Sequence, residues 1–330
     1  MGMTAVSSRQ LAALKLLRRR LLQAVPLMLG VVVINFVLIH LAPGSFLELM
    51  TAENQVSDPA TVELLRKTYG LEDPTWLQLL KYIWALLHFD FGFSYRQNMP
   101  VLQAITINLP ATLLLMVSSI ALAFAVGVAA GVVASMKVRT VWDTLVSVAA
   151  MFFFAAPSFW LGIMMIVLFA VKLGWLPANG WTPPAEDPGM FLRQLILPAL
   201  SLGLVQGAVL TRYVRSAVLE VLREDYLRTA RAKGLRPFPA LWRHGLRNAA
   251  VPVVTVLGLQ LATLLIGAVV VERVFVIPGL GSLLLDGVSN RDLLLVQDVM
   301  MVLVIAVLVV NFLVDLLYVA LDPRLRVGPR

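Results

Sequence analysis

Residues 211–248 read TRYVRSAVLEVLREDYLRTARAKGLRPFPALWRHGLRN. It holds nine Lys and Arg residues and lies between two apolar segments, 195–210 and 251–271. A basic connection this long between two such segments is more than a tether. It has the character of a docking surface on the cytoplasmic side of a membrane protein.

Composition fits that setting. Of 330 residues, 59% are hydrophobic and 14% are charged, and the mean hydropathy is +0.86. A soluble domain carries about 25% charged residues. Crossing the hydrocarbon takes ~20 mostly apolar residues. Six segments qualify or nearly do: 21–41, 111–136, 144–171, 195–210, 251–271 and 299–321. The fourth is short, but a helix has room to continue through 211–222. Arg18, Arg19 and Arg20 before an apolar run also resemble a signal peptide. The run 21–41 is longer than a usual h-region and no A-x-A cleavage site follows, so an uncleaved first span is expected.

Charge sets the orientation. With the N-terminus inside, six spans place nineteen of the 27 Lys and Arg residues in the cytoplasm. These lie in the tail to Arg20, at Lys137 and Arg139, in 211–248, and at Arg324, Arg326 and Arg330. Basic residues near span ends mark the cytoplasmic side, so both termini are expected inside. The net charge of +8 is therefore topological, with membrane lipid rather than nucleic acid as the expected partner.

Much chemistry is absent from the sequence. There is no cysteine, which removes disulfides, thiolate catalysis and Cys-ligated zinc. His40, His88 and His244 lack ligand spacing, so no metal site is expected. No G-x-x-x-x-G-K-[ST] phosphate loop occurs, so the chain is not its own ATPase. No catalytic triad, H-E-x-x-H motif or run of intramembrane carboxylates stands out. Asp90-Phe91-Gly92 spells a kinase tripeptide without its partner motifs and is expected to be a folded aromatic turn. The spans instead hold dispersed neutral polar residues: Asn35, Gln206, Thr255, Gln260, Thr263 and Asn311. Such groups suit a path better than a catalytic centre, with energy supplied elsewhere.

Punctuation along the chain gives its organisation. Ala42-Pro43-Gly44 ends the first span, and a polar excursion runs to Asn108. Pro59 and Pro74 each follow an Asp, a Pro-at-N1 pattern for two short helices, and Gly70 fits the cap of the first. The second, 76–88, has an apolar face of Trp76, Leu79, Leu80, Ile83, Trp84 and Leu87, suiting a small external lobe lying on the membrane. Asn108-Leu109-Pro110 is expected to open span two, with Pro110 in its first turn. Gly127 and Gly131 give a small-xxx-small face, and Pro157 should kink or break span three. Residues 174–191 and 277–282 are turn-rich external loops. Asn311 and Asp315 lie four apart near the inner end of span six, where helix pairing or an interfacial position is expected.

Within 211–248, helical composition covers 216–227 and continues through Lys233. Gly234 is a natural stop, and Pro237 and Pro239 support it. A second helix is expected to restart near Ala240 and run toward span five. Ala230 and Ala232 allow close approach, with Tyr226, Leu227 and Leu235 as apolar anchors. Charge alone leaves two other readings open, the positive-inside excess and anionic lipid.

At Asp225–Gly234 (DYLRTARAKG) and Arg243–Pro252 (RHGLRNAAVP), the sequence resembles the inner-membrane permease subunits of ATP-binding-cassette importers of the dipeptide/oligopeptide/nickel family. The family form is D-Y-I-R-T-A-R-A-K-G, then R-H-A-L-R-N-A-x-x-P. The likeness extends through Leu41–Gly44, Tyr69-Gly70-Leu71, Asp90-Phe91-Gly92, Pro157–Trp160, Val271–Phe275, Pro278–Gly281 and Asp315–Arg324, nearly the whole chain. Arg228-Thr229-Ala230 stands where the broader importer motif has Glu-Ala-Ala, and the interval from Gly234 to Pro252 is longer than in the general form; both agree with the peptide subfamily. The large lobe after span one is similar to that of the first, "B"-type permease.

The resemblance implies an all-α integral membrane protein with the six-helix type I importer permease fold. Its segments would be a tail 1–20, span one 21–41, an external lobe 42–108, a core 109–321 with coupling loop 211–249, and a tail 322–330. It implies a coupling helix at Tyr226, Ala230, Arg231, Ala232, Lys233 and Gly234 that contacts an ATPase. Ile277, Pro278, Gly279, Leu280, Gly281 and Ser282 become candidates for contact with an external substrate-binding protein. Gln206, Thr255, Gln260, Thr263 and Asn311 become candidates for the translocation path. The implied partners are a homologous second permease, two ATPase subunits that bind ATP and Mg, and the binding protein, at a bacterial inner membrane. Family cargo spans dipeptides, longer peptides, glutathione and nickel chelates. An ion-coupled secondary transporter is the rival of a different class; it would show inverted repeats, and no clear repeat is seen.

Overall fold

The computed structural model describes residues 22–37, 40–41, 73–94 and 96–321. The Arg18–Arg20 cluster, the Ala42–Gly44 turn, the helix expected after Pro59 with its Gly70 cap, and the tail from 322 lie outside these residues, as does the side chain of Asp315.

In chain order the elements are α1 (Leu22–Val37), α2 (Thr75–Leu87), β1 (Phe93–Ser94), β2 (Met99–Pro100), α3 (Val101–Met136), α4 (Val141–Ala155) and α5 (Ser158–Met165). Helix α5 runs on as a π-helix, Ile166–Lys172. Then come α6 (Pro188–Leu222), α7 (Asp225–Ala232), α8 (Pro237–Ala240) with a π-turn Leu241–Gly245, α9 (Leu246–Phe275), α10 (Leu280–Ser289) and α11 (Leu293–Leu321). Among the described residues, α3, α6, α9 and α11 are long and apolar enough to cross a bilayer, and the bent pair α4–α5 makes a fifth if taken as one span. The first expected span is represented by the shorter apolar helix α1.

Proline chemistry explains the helix breaks, with two corrections. At Pro157 the preceding Ala156 is forced to extended backbone, ψ 129°, and α4 and α5 meet at a 103° bend. Pro110, however, does not open span two; α3 begins nine residues earlier, at Val101. The ring removes one backbone donor, and the helix carries it because α3 already has turns on both sides that fix its φ and ψ. Pro74 is the residue before the first turn of α2 rather than its first helical residue. Helix α6 starts at Pro188 and takes in the last four residues of the expected loop 174–191, because the Asp187 carboxylate caps it by accepting from the Met190 amide at 3.0 Å.

The chain divides into two compact units. Among the described residues, the first comprises 110–282 with 307–321. Its centre is α6, whose apolar window is 67% buried against 28–39% for the other single-helix spans. Helices α4, α5 and α9 pack on it. So does α3, through the glycines expected to allow close approach. A Cβ at Gly127 would sit 2.7 Å from Leu210, and one at Gly131 would sit 2.7 Å from Val214. Burial of α6 on several sides is what holds the basic segment beyond it in a fixed place.

Among the described residues, the second unit comprises those from 22 to 109 with 283–306. Asp90-Phe91-Gly92 is a turn there: the Gly92 amide donates to Asp90 Oδ1 at 3.1 Å, Phe91 is buried, and Gly92 takes φ +68°. The β1–β2 hairpin pairs Phe93 with Pro100 and Ser94 with Met99. Ser94 Oγ donates to Asp292, whose other oxygen caps α11 through the Leu295 amide. Helix α2 is held by Tyr82, which donates to Asp298 at 3.2 Å. Burial, and then the Asp298 carboxylate beside it, push the Tyr82 hydroxyl's pKa up, so it stays a donor.

Candidate coupling surface

The basic segment folds as two short helices joined at a glycine. Helix α6 does not run to Leu227, as composition suggests; it ends at Leu222, and Glu224 (ψ 142°) turns the chain out of it. Asp225 then opens α7 in its first turn, where a carboxylate suits the helix dipole. The end is a Schellman motif. Gly234 (φ +93°) donates its amide to Arg231 O at 2.9 Å, and Leu235 reaches back to Ala230 O at 3.3 Å. The second helix restarts at Pro237, earlier than Ala240, because the φ of proline suits a first helical turn.

An eight-residue helix is marginal alone, so α7 depends on what it packs against. Leu227 is fully buried and Ala230 nearly so, one turn apart. They join a cluster with Val214, Val218 and Val221 of α6, Leu241, and Ala249 and Val253 of α9. Ala230 therefore turns into the chain's own core, and of the six expected coupling residues it is the one removed from the outer face. Tyr226, Arg231, Ala232, Lys233 and Gly234 are exposed, together with Arg228 and Thr229. Asn248, at the base of α9, donates to the Tyr226 hydroxyl at 2.9 Å. The helix is thus seated on α6 and α9 by its inner face while its small and basic face stays open.

Two features beside it had no local signal in the sequence. Arg215 on α6 makes a two-pronged bond to Asp143 on α4, at 2.9 and 3.0 Å, and the Arg139 amide adds a third donor at 3.1 Å. This ties the α3–α4 turn to α6 two turns before α6 ends. An open groove of about 570 Å³ follows, lined by Arg215, Leu219, Glu220, Arg223, Glu224 and Asp225, so the surface beside α7 is concave.

Three of the expected path residues come together. Gln260 donates to Gln206 O at 3.0 Å, Gln206 to Thr263 Oγ1 at 3.3 Å, and Thr263 to Gln260 O at 2.8 Å. They bridge α6 and α9. Thr255 is exposed on α9, and Asn311 is half-buried on α11.

The turn after α9 differs from an open loop. Of Ile277, Pro278, Gly279, Leu280, Gly281 and Ser282, only Pro278 is exposed. The others wrap the fully buried carboxylate of Glu272, which accepts from Thr112 Oγ1 at 2.6 Å and from the Gly281 and Ser282 amides at 2.8 and 3.1 Å. Val276 holds a left-handed φ of +55°, which costs a β-branched residue about 1–2 kcal/mol.

Residues 123–327 match the family described as the binding-protein-dependent transport system inner membrane component, and residues 13–116 match the N-terminal model for the membrane component of such systems. The chain belongs to this family. A Brucella abortus protein, named provisionally as a peptide transport system permease, is 42% identical over 311 residues, covering 94% of this chain and 98% of the relative. The di/tripeptide transport system permease protein DppB of Pseudomonas aeruginosa is 40% identical over 333 residues, covering 95% and 99%. A chain of the methionine ABC transporter MetNI, solved in inward-facing conformations, superposes with a TM-score of 0.54 at 21% identity, over 67% of this chain and 97% of that one. The fold is that of a type I importer permease. The chain is a non-catalytic subunit of the bacterial inner membrane that works with an ATPase and a substrate-binding protein.

Proposed function

We propose that this chain is the first permease of a peptide importer and that it forms half of the translocation path, a homologous second permease forming the other half. Two ATPase subunits drive it from the cytoplasm, and an extracytoplasmic binding protein delivers the cargo. The peptide class rests on relatives that match end to end at 40–42% identity. Both termini and α7 lie in the cytoplasm on this reading, and the lobe 42–108 lies outside. The stripe Trp76, Leu80, Trp84 and Leu87 of α2, exposed in the chain, rests in the outer interface, where tryptophan is favoured.

The observation that carries the coupling role is the division of α7 into two faces. Its inner face is anchored by Leu227 and Ala230, and its outer face offers Tyr226, Arg231, Ala232, Lys233 and Gly234 to a partner. ATP-driven closure of the ATPases moves α7, and α6 and α9 move with it because they share its core. A nucleotide-biased rigid-body switch follows. Gln206, Gln260 and Thr263 then bridge the two moving helices, and with Thr255 and Asn311 they supply neutral polar groups to the path.

Ala232→Glu tests this directly, since residue 232 is exposed. The variant is expected to insert and assemble in the membrane while peptide uptake falls by at least ~100-fold, as for a charge desolvated at an interface. Normal uptake and normal transport-coupled ATP hydrolysis would remove α7 from the coupling role.

A further inference from the structure

Glu272 has no place in the coupling surface or the path, yet it is the most completely enclosed carboxylate among the described residues. The chain is shaped around it. A Cβ at Gly279 would lie 2.2 Å from its carboxyl carbon, and one at Gly281 would meet Val269 Cα at 2.4 Å and the carboxylate at 2.9 Å. Its contacts divide between its two oxygens. Oε1 takes the Thr112 hydroxyl, and Oε2 takes the Gly281 and Ser282 amides at the start of α10. Thr112 is itself held, accepting from the Leu280 amide at 2.8 Å. One side chain thus joins the end of α9, the beginning of α10 and α3.

Between Glu272 and this knot the chain makes a knuckle, Val276–Pro278. It is the exposed part of the turn: Val276 is 62% exposed, and Pro278 is exposed while Ile277 between them is buried. It is also tightly fixed. The Ile277 amide donates to Glu272 O at 2.9 Å, the Gly279 amide to Ile277 O at 2.9 Å, and the Gly180 amide brings the 173–187 loop onto Phe275 O at 3.1 Å. A valine in the left-handed region is retained only where its surroundings over-determine it, and such positions gather at clamps and switches. The knuckle pairs two small apolar side chains on a rigid base at the end of α9 opposite α7.

We propose that Glu272 is a positioning residue: it moulds the Val276–Pro278 knuckle into the shape that receives the substrate-binding protein. The proposal rests on the reading of the chain as an importer permease with α7 inside, which places the far end of α9 outside. The requirement at residue 272 is for an acceptor facing the two α10 amides. Glutamine meets it through its carbonyl while its NH2 donates to Thr112 Oγ1, and alanine does not meet it. The space freed in Glu272→Ala is the space a Cβ at residue 279 needs, so Gly279→Ala reproduces the defect from the other side and adds little on top of it.

The test uses the reconstituted complex with its second permease, ATPases and binding protein, with trialanine as the peptide. Basal ATP hydrolysis is read beside hydrolysis stimulated by the loaded binding protein. The lack of native cysteine also allows Pro278→Cys to report docking by cross-linking to the binding protein. Glu272→Ala and Gly279→Ala are expected to keep basal hydrolysis and to lose stimulation and cross-linking about ten-fold, the loss that goes with unmade buried hydrogen bonds. Glu272→Gln is expected to recover most of both. Stimulation at the wild-type level in Glu272→Ala overturns the proposal, and so does equal damage in the alanine and glutamine variants. Should Glu272→Ala fail to assemble, Thr112→Val removes one donor to Glu272 and the acceptor of the Leu280 amide while leaving the carboxylate and its two α10 amides in place, and unchanged stimulation in that variant overturns the proposal equally. A wild-type complex that its binding protein does not stimulate overturns instead the importer reading beneath it.

Discussion

Leu227 and Ala232 lie five residues apart on one short helix and do opposite work. Leu227 is fully enclosed by α6, α9 and the turn before α9, so Leu227→Ala removes buried methyl groups and leaves a cavity. The expected cost is about 2–5 kcal/mol in local or global stability, read as faster amide exchange in α7 and a lower unfolding temperature of the solubilised complex. Ala232→Glu should leave both unchanged while it blocks uptake. Were the two variants to behave alike, the division of α7 into an anchoring and a docking face would be wrong. The sequence marked Leu227 as one of three apolar anchors and Ala232 as part of a small basic surface, but it did not separate Ala232 from the inward-facing Ala230. The A-R-A-K-G pattern marks a small, basic surface, whereas which of its alanines faces inward depends on where α6 ends, and the charged residues around Glu224 carry no clear stop signal. The Asp143–Arg215 pair was hidden for a related reason: its partners are 72 positions apart, and only the packing of α4 on α6 brings them together.

Among the elements, the apolar runs announced α3, the bent pair α4–α5, α6, α9 and α11, and the prolines and glycines announced most of the breaks. Pro157 and Gly234 act where their backbone chemistry says they should. Pro110 misled because a proline with helical turns on both sides is carried inside a long helix, where it looks like a start when only the residues after it are counted. The turn after α9 misled in another way. Pro278, Gly279 and Gly281 suggest an open loop, but its glycines are required by a buried carboxylate that no local pattern pairs with them. Gly234 gives a prediction confined to one element. Its φ is +93°, and a Cβ there would meet nothing within 4 Å, so any penalty is conformational. Gly234→Ala should loosen the end of α7 by about 1–2 kcal/mol, and Gly234→Asn should cost less because asparagine tolerates left-handed backbone. Coupled ATP hydrolysis should follow the order Gly, Asn, Ala. Alanine performing as well as glycine would mean that the Schellman turn does not position α7.

For the whole molecule, the decisive quantity is which end of α9 faces which compartment. The excess of Lys and Arg in 211–248 is expected to put α7 inside by the positive-inside tendency, and in a family of non-catalytic permease subunits energy arrives through a surface. Because the chain contains no cysteine, single-cysteine variants give a clean reading of orientation. Arg231→Cys lies on the open face of α7, and Pro278→Cys lies on the knuckle beyond the far end of α9. In sealed right-side-out vesicles, a membrane-impermeant maleimide should label Pro278→Cys at once and Arg231→Cys only after permeabilisation. In inside-out vesicles the order should reverse, and there added ATPase subunits should shield residue 231 while leaving residue 278 reactive. Peptide movement in the same vesicles should require ATP on the α7 side and survive collapse of the ion gradient, the reverse of what a secondary transporter requires. Labelling of residue 278 from the ATPase side would invert the topology. It would then place the Glu272 knot, and not α7, where the ATPase acts.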